Sequence, residues 1–209
     1  IKIIDIGRST RGQAETCLFG IQDFNIDTSI PLIITNCDQY TPWNPNRFLS
    51  FIRNNNPDGA VSTYNHPTME IGGPSPYSHV KLDDDGFATE LAEKVAISHW
   101  SLNGIFYWKT GQLFVDSASK MMSDDTPAGW GSGAFSHVRE KYVAPTYNYL
   151  ISEGKKIINY HMEDDEYVSL GSPNDIKLHI KRENVMQAVE DLRQGKPIVM
   201  VDDLSLIHI

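Results

Sequence analysis

Short apolar runs that stop abruptly at polar residues alternate along this chain with stretches of helical spacing. That alternation confines it to an α/β fold. The clearest run is Pro31-Leu32-Ile33-Ile34-Thr35-Asn36-Cys37-Asp38, which reads as a buried strand of a mostly parallel sheet. Before it, residues 14–22 carry Cys17, Leu18 and Ile21 at helical spacing. After it, 46–54 reads as a helix bearing Phe48, Leu49 and Ile52, and 59–64 as the next strand. Residues 79–82 and 87–91 flank Asp83-Asp84-Asp85-Gly86, a hairpin in which Asp-Gly supplies the positive φ of the turn. Its aspartates read as solvated turn carboxylates, not as a cation site. Residues 101–108 form a further apolar strand. Residues 141–153 read as a helix closed by Gly154, 155–160 and 167–170 as extended, and 174–182 as a helix with Ser172 at the N-cap and Pro173 at N1. The expected architecture is a three-layer α/β/α sandwich around a mixed, mostly parallel central sheet.

With 209 residues, 40% of them hydrophobic and 22% charged, the chain can bury a real core. The formal net charge of -9 excludes broad contact with nucleic acid, which needs clustered Lys and Arg. It does not exclude one bound nucleotide held by magnesium and a few aimed donors. No apolar stretch has membrane-spanning length and no signal peptide is visible, so a cytoplasmic protein is expected. Cys17 and Cys37 lie in or beside apolar runs and read as buried, reduced thiols. The chain opens at Ile1 inside what reads as a strand over 2–6, which suggests that the start of the protein is missing.

A second unit is expected from 183 to 203. Val185, Ala188, Val189 and Leu192 have helical spacing, and Pro197-Ile198-Val199-Met200-Val201 reads as a strand ending at Asp202-Asp203. Residues 204–209 back-translate as CTG TCT CTT ATA CAC ATC, which looks like the transposon end of a sequencing library, so they are expected to be an adapter scar.

Four stretches carry residues suited to chemistry. In Thr35-Asn36-Cys37-Asp38, a carboxylate stands beyond a strand's carboxyl end, where α/β sheets bind ligands and a hard cation can meet phosphate oxygens. In Thr10-Arg11-Gly12-Gln13-Ala14, Gly12 permits close backbone approach and Gln13 offers the paired donor and acceptor that read a base edge. Glu93-Lys94, followed by Asn103-Gly104, supplies a carboxylate and an amide for sugar hydroxyls and an ammonium for a phosphate. Leu170-Gly171-Ser172-Pro173-Asn174-Asp175 is a tight turn opening a helix; the acidic stretch 163–166 before it reads as a solvated loop.

Taken in order, T-R-G-Q-A-E-T, P-L-I-I-T-N-C-D, D-D-D-G-F-A-T-E-L-A-E-K, S-L-N-G-I-F-Y-W and V-S-L-G-S-P-N-D-I resemble the sugar-phosphate nucleotidyltransferase family over residues 3–182. The resemblance implies a nucleotide-diphospho-sugar transferase-like fold in residues 1–182. The implied activity is transfer of a nucleoside monophosphate from a nucleoside triphosphate to a sugar 1-phosphate, releasing pyrophosphate. It places Gly12 and Gln13 at the base, Asp38 on magnesium, and Glu93, Lys94, Asn103 and Gly104 at the sugar phosphate. Gly171 and Asp175 fall in the closing turn on the sugar side. Asp38 and Lys94 are then the catalytic pair.

The chain departs from the family at three points. The glycine-rich triphosphate loop is absent, so this chain alone is expected to be impaired. Ser169 stands where many members carry a second metal-binding Asp, and Ser78 where glycine is usual. The stretch from Asn184 to Asp203 resembles the opening of 3,4-dihydroxy-2-butanone 4-phosphate synthase. The rival readings are a non-catalytic sugar-nucleotide-binding module of the same fold and a glycosyltransferase using Asp-x-Asp. Asp83-Asp84-Asp85 matches that motif, but its place in a turn argues against it. Oligomeric state is open, with a homo-oligomer as one option.

Overall fold

The computed structural model describes residues 3, 5–65, 70–124, 140–163 and 165–194, without the side chains of 188 and 192. The expected strand over 197–201, the Asp202-Asp203 end and the 204–209 tail lie outside the described residues. Contacts divide the chain into one compact unit of 1–37 and 42–167 and a second of 38–41 and 168–209.

The first unit is built on a six-stranded sheet. Its strands are β1 (Leu32–Thr35), β3 (Gly59–Asn65), β4 (Pro74–Leu82), β5 (Ala88–Val95), β6 (Trp100–Trp108) and β7 (Ile157–His161). Strand order is β5-β4-β6-β3-β7, and β1 pairs with the second half of β6. The sheet is mixed, as expected, but neighbours are mostly antiparallel: only β3–β7 is a parallel pair among the described residues. The parallel character survives in direction, since β1, β3, β4 and β7 run one way and β5 and β6 the other. β6 causes the difference by inserting between β1 and β3. β1 is also not the buried strand that its apolar run suggests: Leu32 and Ile34 are half-buried and Ile33 is 46% exposed, and such a run does not tell which strand lies beside it.

Alternation along the strands makes three layers. Val61, Leu102, Phe106, Trp108 and Ile157 face one side and pack with Ala14 and Leu18 of α1 (Gln13–Asp23), Phe114 and Ala118 of α3 (Gly111–Ser123), and Tyr147 and Leu150 of α4 (Thr146–Ser152). Ala60, Ile105, Tyr107, Ile158 and Tyr160 face the other side and pack with Phe48 and Ile52 of α2 (Pro45–Asn55). The Trp108 and Tyr147 rings stack 4.8 Å apart, and the Tyr147 hydroxyl lies 2.8 Å from the Tyr107 carbonyl it donates to.

Helix α3 has no counterpart in the sequence reading, although Phe114, Ala118 and Met121 are buried at helical spacing. Helix α4 starts at Thr146 rather than 141. The Lys141 backbone is committed elsewhere, its N–H donating to the Arg11 carbonyl at 2.8 Å and its carbonyl accepting from Ala14 N–H at 2.9 Å. Gly154 ends α4 with φ 77, as its composition predicts. In the β4–β5 turn, the Asp83 carboxylate accepts from the N–H groups of Asp85 and Phe87, and Gly86 has φ 84. This is the turn role expected for that acidic run. Two solvation expectations are corrected. Cys37 is exposed, and Cys17 is half-buried, its thiol pushed up to about 11 by desolvation. Glu166 is buried and paired with Arg47 at 2.6 Å.

The second unit pairs β2 (Gln39–Tyr40) antiparallel with β8 (Val168–Ser169) and carries α5 (Pro173–Arg193). The two helical stretches expected on either side of 183 are one continuous helix, because no breaker separates Arg182 from Asn184. No helix among the described residues is long and apolar enough to cross a membrane.

Candidate functional site

In the first unit two of the candidate side chains, Glu93 and Lys94, lie together at the end of β5. Glu93 lies directly opposite Ser78 across the antiparallel β4–β5 pair and is only 5% exposed. The Ser78 hydroxyl donates to Glu93 Oε2. Burial pushes the Glu93 carboxyl from its ordinary 4.5 up to about 7; the Ser78 bond and the Lys94 charge pull it down, and Glu140 pushes it up. The sequence left this burial hidden, since Glu93-Lys94 also reads as an exposed ion pair.

Lys94 does not pair with Glu93 in that way. It has φ 59, a left-handed conformation in a strand, which turns its side chain toward the segment before α4. Its ammonium donates to the Tyr142 hydroxyl at 2.6 Å, lies 4.8 Å from the centre of that ring, and stands 3.7 Å from Glu140. The Tyr142 hydroxyl donates in turn to Glu140. The bond to Tyr142 is the main cause that raises the Lys94 ammonium above its ordinary range, so it stays cationic.

The same segment meets the start of α1. Gly12 has φ 142, and a Cβ there would fall 2.6 Å from the Lys141 backbone nitrogen and oxygen. The close approach that Gly12 permits is therefore to Lys141. Gln13, the first residue of α1, is exposed. Residues 140–142 thus touch both Gly12 and Lys94, a link that neither motif announces in sequence.

Asn103 and Gly104 form a separate group on β6. The register between β3 and β6 shifts between Val61 and Thr63, so Asn103, Gly104 and Ile105 face Ser62 alone. Gly104, at φ 80, makes this bulge possible. Asn103 is 1% exposed, and its amide nitrogen donates to Ser62 Oγ at 3.1 Å and contacts Met162 Sδ at 2.8 Å. Its amide is engaged inside the protein rather than at an open surface. A Cβ on Gly104 would fall 2.2 Å from the Asn36 side-chain nitrogen, so the glycine makes room for Asn36.

In the second unit Asp38, Gly171 and Asp175 come together. The Asp38 carbonyl accepts from Leu170 N–H at 3.0 Å. Its exposed carboxylate sits where a Gly171 Cβ would stand 3.0 Å from Oδ2. Asp175 and Ser172 make a reciprocal cap: Asp175 Oδ2 accepts from Ser172 N–H at 3.1 Å, and Ser172 Oγ accepts from Asp175 N–H at 3.1 Å. Ser169 Oγ also donates to Asp175 Oδ2, at 3.3 Å. That carboxylate oxygen is spent on starting α5.

Among the described residues no group of three or more His, Cys, Asp or Glu could hold a metal ion. Asp38 does suit magnesium in another way. Magnesium is commonly held by one or two carboxylates together with substrate phosphates, and an exposed carboxylate with an open oxygen fits that use.

No protein-family model matches the chain, and no curated protein matches it. Solved structures do. The nucleoside-diphosphate-sugar pyrophosphorylase from Vibrio cholerae RC9 is similar at TM-score 0.63 and 21% identity, over 81% of this chain and 65% of that one. A Bacillus anthracis protein assigned as a glucose-1-phosphate thymidylyltransferase, solved with sucrose, is similar at TM-score 0.58 and 12% identity, over 93% and 65%. An apo UDP-glucose pyrophosphorylase is similar at TM-score 0.58 and 15% identity, over 84% and 62%. The chain thus spans 62 to 65% of the length of these three proteins. What the likeness establishes is the fold: a mixed-sheet α/β fold shared with nucleotide-sugar pyrophosphorylases.

Proposed function

We propose that this chain belongs to an enzyme that transfers a nucleoside monophosphate from a nucleoside triphosphate to a sugar 1-phosphate, releasing pyrophosphate. One observation carries the reading. Residues 140–142 tie the start of α1, with Gly12 and Gln13, to Lys94 beside the buried Glu93. That segment is taken as the common support of a base-reading amide and a phosphate-meeting ammonium. In this reading Gln13 meets the base, Lys94 meets the sugar phosphate and Glu93 a sugar hydroxyl. The phosphate oxygen of the sugar attacks the α-phosphorus in line, and the positive groups offset the growing charge. Asp38 would hold magnesium, which supplies charge neutralisation on the phosphates. Gly171 keeps space beside that carboxylate, and Asp175 holds the turn that carries Gly171.

The test is magnesium-dependent pyrophosphate release by the protein at its full natural length, given a nucleoside triphosphate and a sugar 1-phosphate. Asp38→Asn is expected to lower turnover about 100-fold, the order seen when a group offsetting transition-state charge is removed. Unchanged turnover removes Asp38 from the metal. Lys94→Ala is expected to raise KM for the sugar phosphate most; an effect confined to the nucleotide contradicts the assignment.

A binding module that holds a sugar nucleotide without turnover is the second reading. It is favoured by Ser169, which stands where a second acidic ligand would be expected and whose hydroxyl is engaged with Asp175. Tight binding of a sugar nucleotide with no pyrophosphate release from any triphosphate would select it.

A further inference from the structure

We propose that Ser78 is the positioning residue of Glu93: its hydroxyl holds one carboxylate oxygen so that the other is presented to a hydroxyl of the sugar ring. This rests on the sugar-phosphate reading of the site.

The two residues face each other as a cross-strand pair of β4 and β5, so the bond follows from sheet register. Glu93 is nearly buried, and a carboxylate taken out of water needs a donor. Its neighbour Lys94 is turned away to Tyr142 and Glu140, and the Asn148 amide from α4 bonds the Leu91 backbone instead. Ser78 therefore supplies the side-chain hydrogen bond that Glu93 receives among the described residues, and Oε1 keeps its capacity for a ligand donor. The charged groups that act on Glu93 are Lys94, which favours the carboxylate, and Glu140, which opposes it. Ser78 is also a point at which the chain departs from the glycine of the family it resembles. A glycine could not make this bond, so the carboxylate would be held differently.

The experiment is a carboxyl-carbon NMR titration of the glutamate-labelled chain from pH 4 to 9, with Glu93→Gln identifying the resonance. The native midpoint is expected near 7. Ser78→Ala should raise it by about one unit, the size of a hydrogen bond to a charged group, and Ser78→Thr should restore it. An unmoved midpoint in a folded Ser78→Ala chain overturns the proposal. Calorimetry at pH 8 then compares glucose, galactose and mannose 1-phosphates with inorganic phosphate. Ser78→Ala should weaken the bound sugar phosphate about tenfold, leave inorganic phosphate unchanged and be rescued by Ser78→Thr. Equal weakening of both ligands overturns the presentation of Glu93 to the ring. If no sugar phosphate binds the native chain while the midpoint moves as expected, the sugar-phosphate reading fails and the hold of Ser78 on Glu93 stands.

Discussion

Glu93 and Asp38 are both acidic residues picked from motifs, yet their surroundings are opposite. Glu93 lies inside the first unit, 5% exposed and bonded by Ser78. Asp38 belongs to the second unit, exposed, with a glycine beside its carboxylate rather than a donor. A buried carboxylate costs folding energy and gains a tuned charge; an exposed one costs little and stays open to a cation. The contrast predicts different prices in stability for the same change of acid to amide. A carboxyl raised in the fold favours its neutral form. The contribution of Glu93 to stability is thus fully present below 4.5 and is lost as pH rises from 4.5 to about 7. Glu93→Gln has no such loss. It is expected to be more stable than the native chain by about 3 kcal/mol at pH 8, with no such gain at pH 4. Denaturant unfolding at both pH values checks this, and a pH-independent difference would break the contrast.

Lys94 sharpens the same comparison through the backbone. Its φ of 59 is held in place by Tyr142 and Glu140 rather than by any preference of lysine. Lys94→Val should be less stable than Lys94→Gly by about 1–2 kcal/mol, because a β-branched residue resists the left-handed region and glycine does not. Both should lose sugar phosphate binding. Equal stability of the two variants would show that the strand relaxes when lysine is removed.

In the second unit, Asp175 is the carboxylate that works structurally. Asp175→Ala removes a reciprocal cap and is expected to cost about 1 kcal/mol of helix α5. Faster amide exchange in the first turn of α5 is the readout, and unchanged exchange would mean that Ser172 suffices alone.

These differences show which parts of the molecule could be read from residues alone. Local chemistry was legible. The Ser172–Pro173 start of α5, the Gly154 stop after α4 and the Asp83–Gly86 turn each depend on a few adjacent residues. What depended on distant segments was not. The insertion of β6 between β1 and β3 turned most neighbour pairs antiparallel. The commitment of the Lys141 backbone to α1 shortened α4 from its expected start. Asn103 was chosen for its amide, but the bulge at Gly104 turned it inward to Ser62. Glu93-Lys94 was visible as a motif and Ser78 as a departure, but the pairing of Ser78 with Glu93 and the approach of Glu140 and Tyr142 were not, because pairing register and a left-handed lysine brought them there.

The smallest expected effect is the most discriminating. Asp38→Asn leaves an isosteric amide in an exposed position, with the Leu170 N–H still bonded to the backbone carbonyl. Its stability should stay within about 0.5 kcal/mol of the native chain, as for a surface substitution without a buried partner. If unfolding instead shows a loss nearer that of Asp175→Ala, the Asp38 carboxylate is a structural element beside the β2–β8 pair, and its proposed service to magnesium loses its main support. A silent substitution in folding that abolishes magnesium-dependent turnover would separate Asp38 and Asp175 by role. One would shape the turn, and the other would be left free by a glycine to meet what binds there.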